Sequence, residues 1–398
     1  MSPETLRETL RQRHLSITEL VRRSGVSRPT IHRALKHGSD VLSEVTRQKL
    51  STTLGIDLDR LHTGLEDRRI AYLRKTADAT ADLPIPTPWL FLDPLPLREV
   101  FVPPSLQRLS PLQQTLPFHA ADPPGTDRPA TVTVADALSR HRVLVLVGEA
   151  GSGKSTTLRY LNWAYASRTA PDRGLPFGGL VPVPISLPHA VPRLPRRETP
   201  TLNDCVRDAL ASADLDDGID PPGYLFLLDG LDELTPDAGE SLVESLPALA
   251  RERPGDRIVL THRAVDCSPV PAGLDAVVYR IAPLSPPQRA QLAANLGNIL
   301  LRRLPGKPVE ALQEAIQRSD EIRALARNPF LLTVLVVLYA TRGGFPCHRG
   351  EIVERILDVH LTGWEQKGRT WAGNLAGRRC WITTRDLRRL LEDWALEL

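Results

Sequence analysis

The stretch that decides the fold reads VLVLVGEAGSGKST and spans residues 143–156. Its first five residues are apolar, as in a buried strand, and a glycine-rich segment follows them directly. Gly148, Gly153, Lys154 and Ser155 fill the pattern G-x-x-x-x-G-K-[ST], in which a loop between a strand and a helix binds phosphate. The stretch therefore predicts a P-loop that binds ATP or GTP together with Mg²⁺.

Each residue type in this loop has its own role in phosphate binding. Glycines let the backbone curl so that successive N–H groups point at phosphate oxygens, and the helix that begins near Lys154 adds the positive end of its dipole. We expect Lys154 to reach the β- and γ-phosphates and the Ser155 hydroxyl to ligate Mg²⁺. The predicted nucleotide-binding residues of the loop are Gly148, Gly151, Ser152, Gly153, Lys154, Ser155 and Thr156.

An acidic stretch, YLFLLDGLDELTP, follows at residues 224–236. Asp229 stands at the end of its apolar run, and a carboxylate at such a strand end holds magnesium, usually through water. Glu233 is the candidate for polarising an attacking water, and Asp232 is the alternative. Without a P-loop upstream, the same residues would read as a buried strand that ends in an acidic turn.

A third polar strand end is predicted in DRIVLTHR, residues 256–263. The strand would end at Thr261 and Arg263, next to the strand that leads into the P-loop. A polar side chain at that tip can sense the γ-phosphate, which makes Arg263 a catalytic candidate. The alternative is an ordinary surface arginine after a strand.

The N-terminal segment LSITELVRRSGVSRPTIHRALKHG, residues 15–38, predicts two helices, at 17–23 and 28–36, joined by a tight turn at Gly25. The segment resembles the helix-turn-helix of Cro-like and LacI-like repressors, although Val21 stands where those proteins usually have alanine. Arg28 would read a guanine edge, and Arg33 and Lys36 would contact phosphates. The candidate DNA-binding residues are Ser27, Arg28, Thr30, His32, Arg33 and Lys36. The alternative is a small helical bundle with a solvated basic face or a protein-docking role.

Five apolar runs separated by helical patterns indicate a buried parallel sheet. We therefore predict a multidomain fold with an N-terminal all-α helix-turn-helix part, an α/β P-loop NTPase core with a parallel sheet, and an α-helical region, with residues 286–398 read as all-helical. The apolar runs are 143–147, 181–187, 224–228, 257–260 and 277–281.

The order of these motifs resembles the NACHT family of signal-transduction NTPases, of the STAND class. GEAGSGKST, LLDGLDEL and LTHR are followed by NPFLLTVLVVLY at 328–339 and GFPCHRGEIVERILDVHLTGW at 344–364, and the resemblance covers roughly residues 90–398. The paired acids Asp232 and Glu233 are typical of the family. His262 departs from the small residue more usual before the arginine.

The resemblance implies a nucleotide-controlled switch. In such proteins a helical region closes over ADP and opens with ATP, and the open form oligomerises, so we expect a slow Mg²⁺-dependent ATPase that self-associates when ATP is bound. Pro329 would abut the adenine, although a proline there also suits a plain helix N-terminus. The guanine-reading motif N-K-x-D is missing, so the choice of ATP over GTP rests on the resemblance alone.

Proline content helps to place the domain boundaries. Residues 82–129 contain 12 prolines in 48 positions, a quarter of the segment against an average of about 5%. Residues 371–398 resemble only the start of the winged-helix domain that normally follows in this family. Either the chain is a truncated or fragmentary product, or an unidentified sensor or effector protein does the sensing. The predicted divisions are a helix-turn-helix domain at 1–78, a linker or docking segment at 79–130, the NTPase core at 131–285, a helical region at 286–370 and the winged-helix start at 371–398.

Charge and cysteine usage limit the classes of partner. Residues 1–80 contain 15 Lys and Arg against 10 Asp and Glu, or +5, whereas the whole chain is +3, which hints at a nucleic-acid or other anionic partner for the N-terminal part. The apolar stretch 330–340 is about half of a membrane span, so we expect a buried helix and no membrane association. Four cysteines without metal-ligand spacing indicate reduced thiols in a cytoplasmic protein.

Three functions fit these features. The first is an ATP-binding switch whose nucleotide state controls assembly of an N-terminal DNA-binding module, and hence transcription. The second is a bacterial immune or antiphage-type switch whose N-terminal domain recruits a protein partner. The third is a processive ATPase such as a helicase loader, for which the sequence offers neither a second arginine-finger motif nor a helicase block.

Overall fold

The computed structural model divides the chain into two compact units. The first contains residues 1–80, 106–149 and 157–280, and the second contains 81–105, 150–156 and 281–398. The residues that the structure describes are 10, 15–37, 44–54, 58–83, 94–110, 131–194, 200–215, 223–263, 276–303, 309–342, 344–345, 354, 371–375 and 378–382.

The N-terminal helices that the structure describes from end to end in the first unit are α1 (Ile17–Ser24), α2 (Arg28–His37), α3 (Glu44–Leu54) and α4 (Leu58–Thr80). The Ser16 hydroxyl accepts a hydrogen bond from Glu19 N and starts α1, and Gly25 ends it in the left-handed region at φ 66°. Leu20 and Ile31 are fully buried between the first helices. α1 and α2 form where the sequence predicts them, because their apolar residues recur on one helix face.

The C-terminal half of α4 packs against the NTPase core of the same unit. Leu73 belongs to the core's apolar cluster, and the Tyr72 hydroxyl donates to Pro182 O at 2.9 Å. Burial raises the pKa of Tyr72 to about 12. Arg159 donates to Ala79 O at 2.9 Å and so caps the end of the helix. The sequence indicated helices here but not this attachment.

Three short elements of the second unit come next: β1 (Asp82–Leu83), β2 (Leu95–Pro96) and α5 (Leu97–Val100). β1 and β2 pair antiparallel. They lie inside the proline-rich segment, which therefore has some regular structure, while residues 84–93 and 111–130 of that segment lie outside the described part of the chain.

A seven-stranded sheet forms the centre of the first unit, in the order β4-β3-β9-β5-β8-β7-β6. β5 pairs parallel with both β8 and β9, and β7 pairs parallel with both β6 and β8, which confirms the predicted parallel α/β core. The strands are β3 (Leu106–Arg108), β4 (Thr131–Val132), β5 (Val143–Gly148), β6 (Val181–Ser186), β7 (Tyr224–Asp229), β8 (Arg257–Arg263) and β9 (Ala276–Ile281).

Burial explains this strand order. Every residue of β5 is buried, as a central strand covered on both faces requires. β6 carries Pro182 and Pro184 and lies at the edge of the sheet, where a missing N–H breaks no ladder on the open side. The helices between the strands are α6 (Val134–Arg140), α7 (Lys154–Ala166), α8 (Leu187–Ala190), α9 (Leu202–Ser212) and α10 (Pro236–Glu252).

Four more helices continue the second unit: α11 (Pro286–Arg303), α12 (Val309–Arg318), α13 (Asp320–Leu325) and α14 (Pro329–Arg342). Leu335 and Val336 of α14 are fully buried, so the apolar stretch 330–340 is a core helix, as predicted. Within the described ranges, each helix is too short or too polar to cross a membrane.

The prediction that residues 286–398 are all-helical is wrong at one place. β10 (Trp371–Leu375) and β11 (Arg378–Ile382) form an antiparallel pair. Trp and Ile favour strands, and a connection of only two residues suits a hairpin. Residues 383–398, the rest of the predicted winged-helix start, lie outside the described residues.

Candidate nucleotide-binding site

The predicted P-loop joins β5 to α7. Gly151 and Gly153 both adopt the left-handed region, at φ 74° and φ 95°, where residues with a Cβ are strained. α7 begins at Lys154, so the positive end of its dipole lies at the end of the loop. This is the backbone form in which successive N–H groups surround an anion.

The polar atoms of the loop suit a phosphate ligand. The Ser152 hydroxyl oxygen is buried and has no hydrogen-bond partner among the described residues, which is costly unless a ligand or water supplies one. Lys154 is half-buried and Ser155 is exposed. A buried donor, a lysine and a hydroxyl in one loop match the chemistry of a nucleoside triphosphate with Mg²⁺.

The predicted polar strand ends are brought together in the first unit. β8 lies between β5 and β7, and its register places Thr261 opposite Leu146 and Arg263 opposite Gly148. Arg263 therefore stands beside the residue that begins the P-loop. Parallel strands in this order collect their C-terminal side chains at one edge of the sheet.

Asp229 ends β7 and is oriented by Thr261. The Thr261 hydroxyl donates to Asp229 Oδ1 at 2.5 Å, and Thr261 itself is fully buried. Sequence reasoning identified Asp229 as a metal ligand but gave Thr261 no role of its own. A hydroxyl residue two positions before Arg263 was the available signal.

Asp232 and Arg263 form an ion pair. Arg263 Nε lies 2.6 Å from Asp232 Oδ2, and the Asp232 side chain is 9% exposed whereas that of Arg263 is 53% exposed. Gly230, at φ 84°, turns the chain after β7 into the short 3₁₀ turn Leu231–Glu233. Glu233, at the end of that turn, is exposed. The two candidate acids therefore differ, since Asp232 neutralises an arginine and Glu233 faces solvent.

Pro329 is the first residue of α14. Within the second unit it lies near the P-loop, since a Cβ built on Gly153 would be 4.0 Å from Pro329 Cγ.

Among the candidate DNA-binding residues, Ser27 directly precedes α2 and the others lie on it. Ser27, Arg28 and His32 are exposed, Thr30 is half-buried, and the Ser27 and Thr30 hydroxyls are 2.7 Å apart. The side chains of Arg33 and Lys36 lie outside the described part of the structure.

The neighbouring arginines of α1 are paired. Glu19 Oε1 lies 2.5 Å from Arg22 Nη2 and 2.7 Å from Arg23 Nε. Hydrogen bonds from Arg22 and Arg23 lower the pKa of Glu19, so Glu19 offsets part of the positive charge on this surface.

Comparison with known protein families gives a match to the NACHT domain over residues 142–297. The matched range begins just before β5, contains the P-loop and the ends of β7 and β8, and stops within α11. It confirms the resemblance to a NACHT NTPase and supports nucleotide binding. A comparison with curated proteins found no match. The N-terminal helices and the residues after 297 lie outside the matched range.

Proposed function

We propose that this chain is an ATP-binding switch in which a Mg²⁺-dependent NACHT NTPase controls self-assembly. The observation that carries the proposal is the set of polar contacts at the ends of β7 and β8; β8 lies next to β5, the strand that leads into the P-loop, and β7 lies next to β8. Thr261 orients Asp229 there, and Asp232 holds Arg263.

The polar residues have distinct roles in this proposal. Lys154 binds the β- and γ-phosphates, while Ser155 and Asp229 are the magnesium ligands. Glu233 polarises the attacking water, because it is exposed while Asp232 is engaged by a cation. When bound, the magnesium ion would neutralise charge that develops on the phosphates.

Arg263 is the proposed sensor of the γ-phosphate. In the structure its guanidinium is bound to Asp232, so a γ-phosphate has to compete with that carboxylate for it. ATP can compete in this way, whereas ADP has no γ-phosphate. The two nucleotides would therefore interact differently with the two states of the protein, which a switch requires. The half-exposed position of Arg263 leaves its side chain room to change partner.

Nucleotide binding is tested by calorimetry on the full chain with ATP and Mg²⁺. Lys154→Ala should lose most of the affinity, whereas Lys49→Ala, which removes an exposed lysine of α3, should bind like the wild type. Retention of wild-type affinity by Lys154→Ala would refute the assignment of the P-loop.

The proposed output is DNA binding by the N-terminal helices. Exposed Arg28 and His32 on α2 favour it, since one side of this helix would enter the major groove. Assembly of several chains would raise the effective concentration of these modules on DNA.

A second candidate output is recruitment of a protein partner in a bacterial immune-type response. The pairing of Glu19 with two arginines favours it because it lowers the net positive charge of α1.

Retention of genomic DNA fragments by the full chain at defined salt separates the two outputs. Arg28→Ala should relax base preference, and Lys36→Ala should weaken binding to all sequences alike. If no fragment is retained above the nonspecific level with ATP bound, the DNA-binding output fails.

A further inference from the structure

Two successive carbonyl groups of the P-loop accept hydrogen bonds from residues at the N-terminal end of α14. The Asn328 side-chain amide donates from Nδ2 to Ala150 O at 2.9 Å. The Phe330 backbone N–H donates to Gly151 O at 3.2 Å. Both contacts lie within the second unit, and the first joins residues 178 positions apart in the chain.

The other end of the Asn328 amide starts α14. Asn328 Oδ1 accepts from Phe330 N at 3.0 Å and from Leu331 N at 3.3 Å, as an N-cap residue does. Pro329 at the next position needs no such acceptor. Because one planar amide supplies both the cap and the bond to Ala150, the start of α14 and the P-loop cannot shift independently without losing one of them.

Peptide planarity transmits these contacts to the phosphate-binding side of the loop. In a trans peptide the carbonyl and the following N–H point in opposite directions. A bond that draws Ala150 O toward α14 therefore turns Gly151 N–H away from it, and the bond to Gly151 O does the same for Ser152 N–H. These N–H groups are two of the donors with which a P-loop holds phosphate.

Close approach explains why position 151 is glycine. A Cβ there would lie 2.8 Å from Asn328 Oδ1 and 2.8 Å from Phe330 Cβ. Those neighbours are fixed by the helix cap and by backbone, so they could not move aside cheaply. Gly151 thus serves the contact with α14 as well as the turn at φ 74°.

We propose that Asn328 is a positioning residue for the nucleotide site. Its amide holds the 150–151 peptide so that the loop's N–H donors face the phosphates, and it couples the position of α14 to the affinity for nucleotide. The inference rests on the proposed nucleotide-binding function.

The test separates the helix cap from the bond to the P-loop. Asn328→Ser keeps an oxygen that can cap α14 but lacks the amide donor, and Asn328→Ala lacks both. Loss of one hydrogen bond should raise the Kd of a fluorescent N-methylanthraniloyl ATP with Mg²⁺ about threefold to tenfold in both variants. The thermal midpoint without nucleotide should fall further for Asn328→Ala than for Asn328→Ser, because the alanine variant loses the helix cap as well as the bond to Ala150.

Two further measurements distinguish positioning from a structural role. Ser319→Ala removes the cap of α13 in the same unit and should lower stability without changing the Kd. The inhibition constant of inorganic tripolyphosphate, obtained by competition against the fluorescent nucleotide, should be higher for Asn328→Ser than for wild type, because the defect lies in the phosphate donors.

Wild-type Kd and wild-type tripolyphosphate competition in Asn328→Ser would overturn the inference. A change in Kd that Ser319→Ala reproduces would also overturn it. If the wild-type chain itself binds no nucleotide, the proposed function fails instead, so the two failures are distinguishable.

Discussion

Replacement of Thr261 by valine tests how Asp229 is held. The substitution exchanges the hydroxyl that donates to Asp229 Oδ1 at 2.5 Å for a methyl group of similar size, at a site with no solvent exposure. A hydrogen bond to a charged group contributes about 1.5–3 kcal/mol. Asp229 is half-buried, so water can replace part of the lost bond and we expect the lower end, about 1.5 kcal/mol.

This loss should appear in two measurements. A domain of this size loses roughly 2–4 °C of thermal midpoint for each kcal/mol, so Thr261→Val should melt about 3–6 °C below wild type without nucleotide. If the loss of this hydrogen bond weakens Mg²⁺ binding by Asp229 by the same free energy, the Mg²⁺ concentration for half-maximal ATP binding should rise by about tenfold at most. Thr261→Ser keeps the hydroxyl and should preserve the Mg²⁺ dependence.

An unchanged melting temperature together with an unchanged Mg²⁺ dependence would refute the view that Thr261 orients Asp229. A lower melting temperature with wild-type Mg²⁺ dependence would restrict Thr261 to a structural role. Thr261→Ser keeps the hydroxyl, so the same change in Mg²⁺ dependence in that variant would show that loss of the hydroxyl is not its cause.

Three other predictions concern single residues. Glu233→Gln should bind ATP with Mg²⁺ but hydrolyse it slowly in a single-turnover assay; unchanged turnover would make Asp232 the activating acid. Asp232→Asn should free Arg263 and shift the ratio of ATP to ADP affinity, measured by competition binding, and an unchanged ratio would show that the ion pair does not take part in sensing. Burial raises the pKa of the Cys205 thiol to about 11, so at pH 8 iodoacetamide should modify Cys205 slowly in the folded chain and rapidly in denaturant, as followed by peptide mass spectrometry. Rapid labelling of the folded chain would contradict its burial.

The sheet could be predicted because its signal is local. A run such as 143–147 is apolar at every position, so a strand buried on both faces is the simplest structure for it, and the observed β5 extends it by one residue. The P-loop follows from the same local pattern, since its glycines and Lys154 are contiguous in the chain.

The missed features depend on partners that are distant in sequence. Asn328 donates a hydrogen bond to a backbone carbonyl 178 positions away. Every residue has such a carbonyl, so no side-chain pattern near Ala150 predicts this bond. Thr261 gains its role only once β8 lies next to β7. The ion pair of Asp232 with Arg263 likewise depends on strand order, although both residues were candidates on other grounds.

The attachment of α4 has a consequence for any assembly of this protein. A flexible tether would let each set of N-terminal helices sample a volume, and its reach would grow only with the square root of the tether length. α4 instead runs unbroken for 23 residues, or about 35 Å, and its last turns are fixed to the core by Leu73, Tyr72 and Ala79. A rigid helix attached in this way would convert a small rotation of the NTPase core into a displacement of several ångströms at its far end. In an oligomer, the distance between the N-terminal helices of neighbouring chains would then be set by the angle at which their cores assemble.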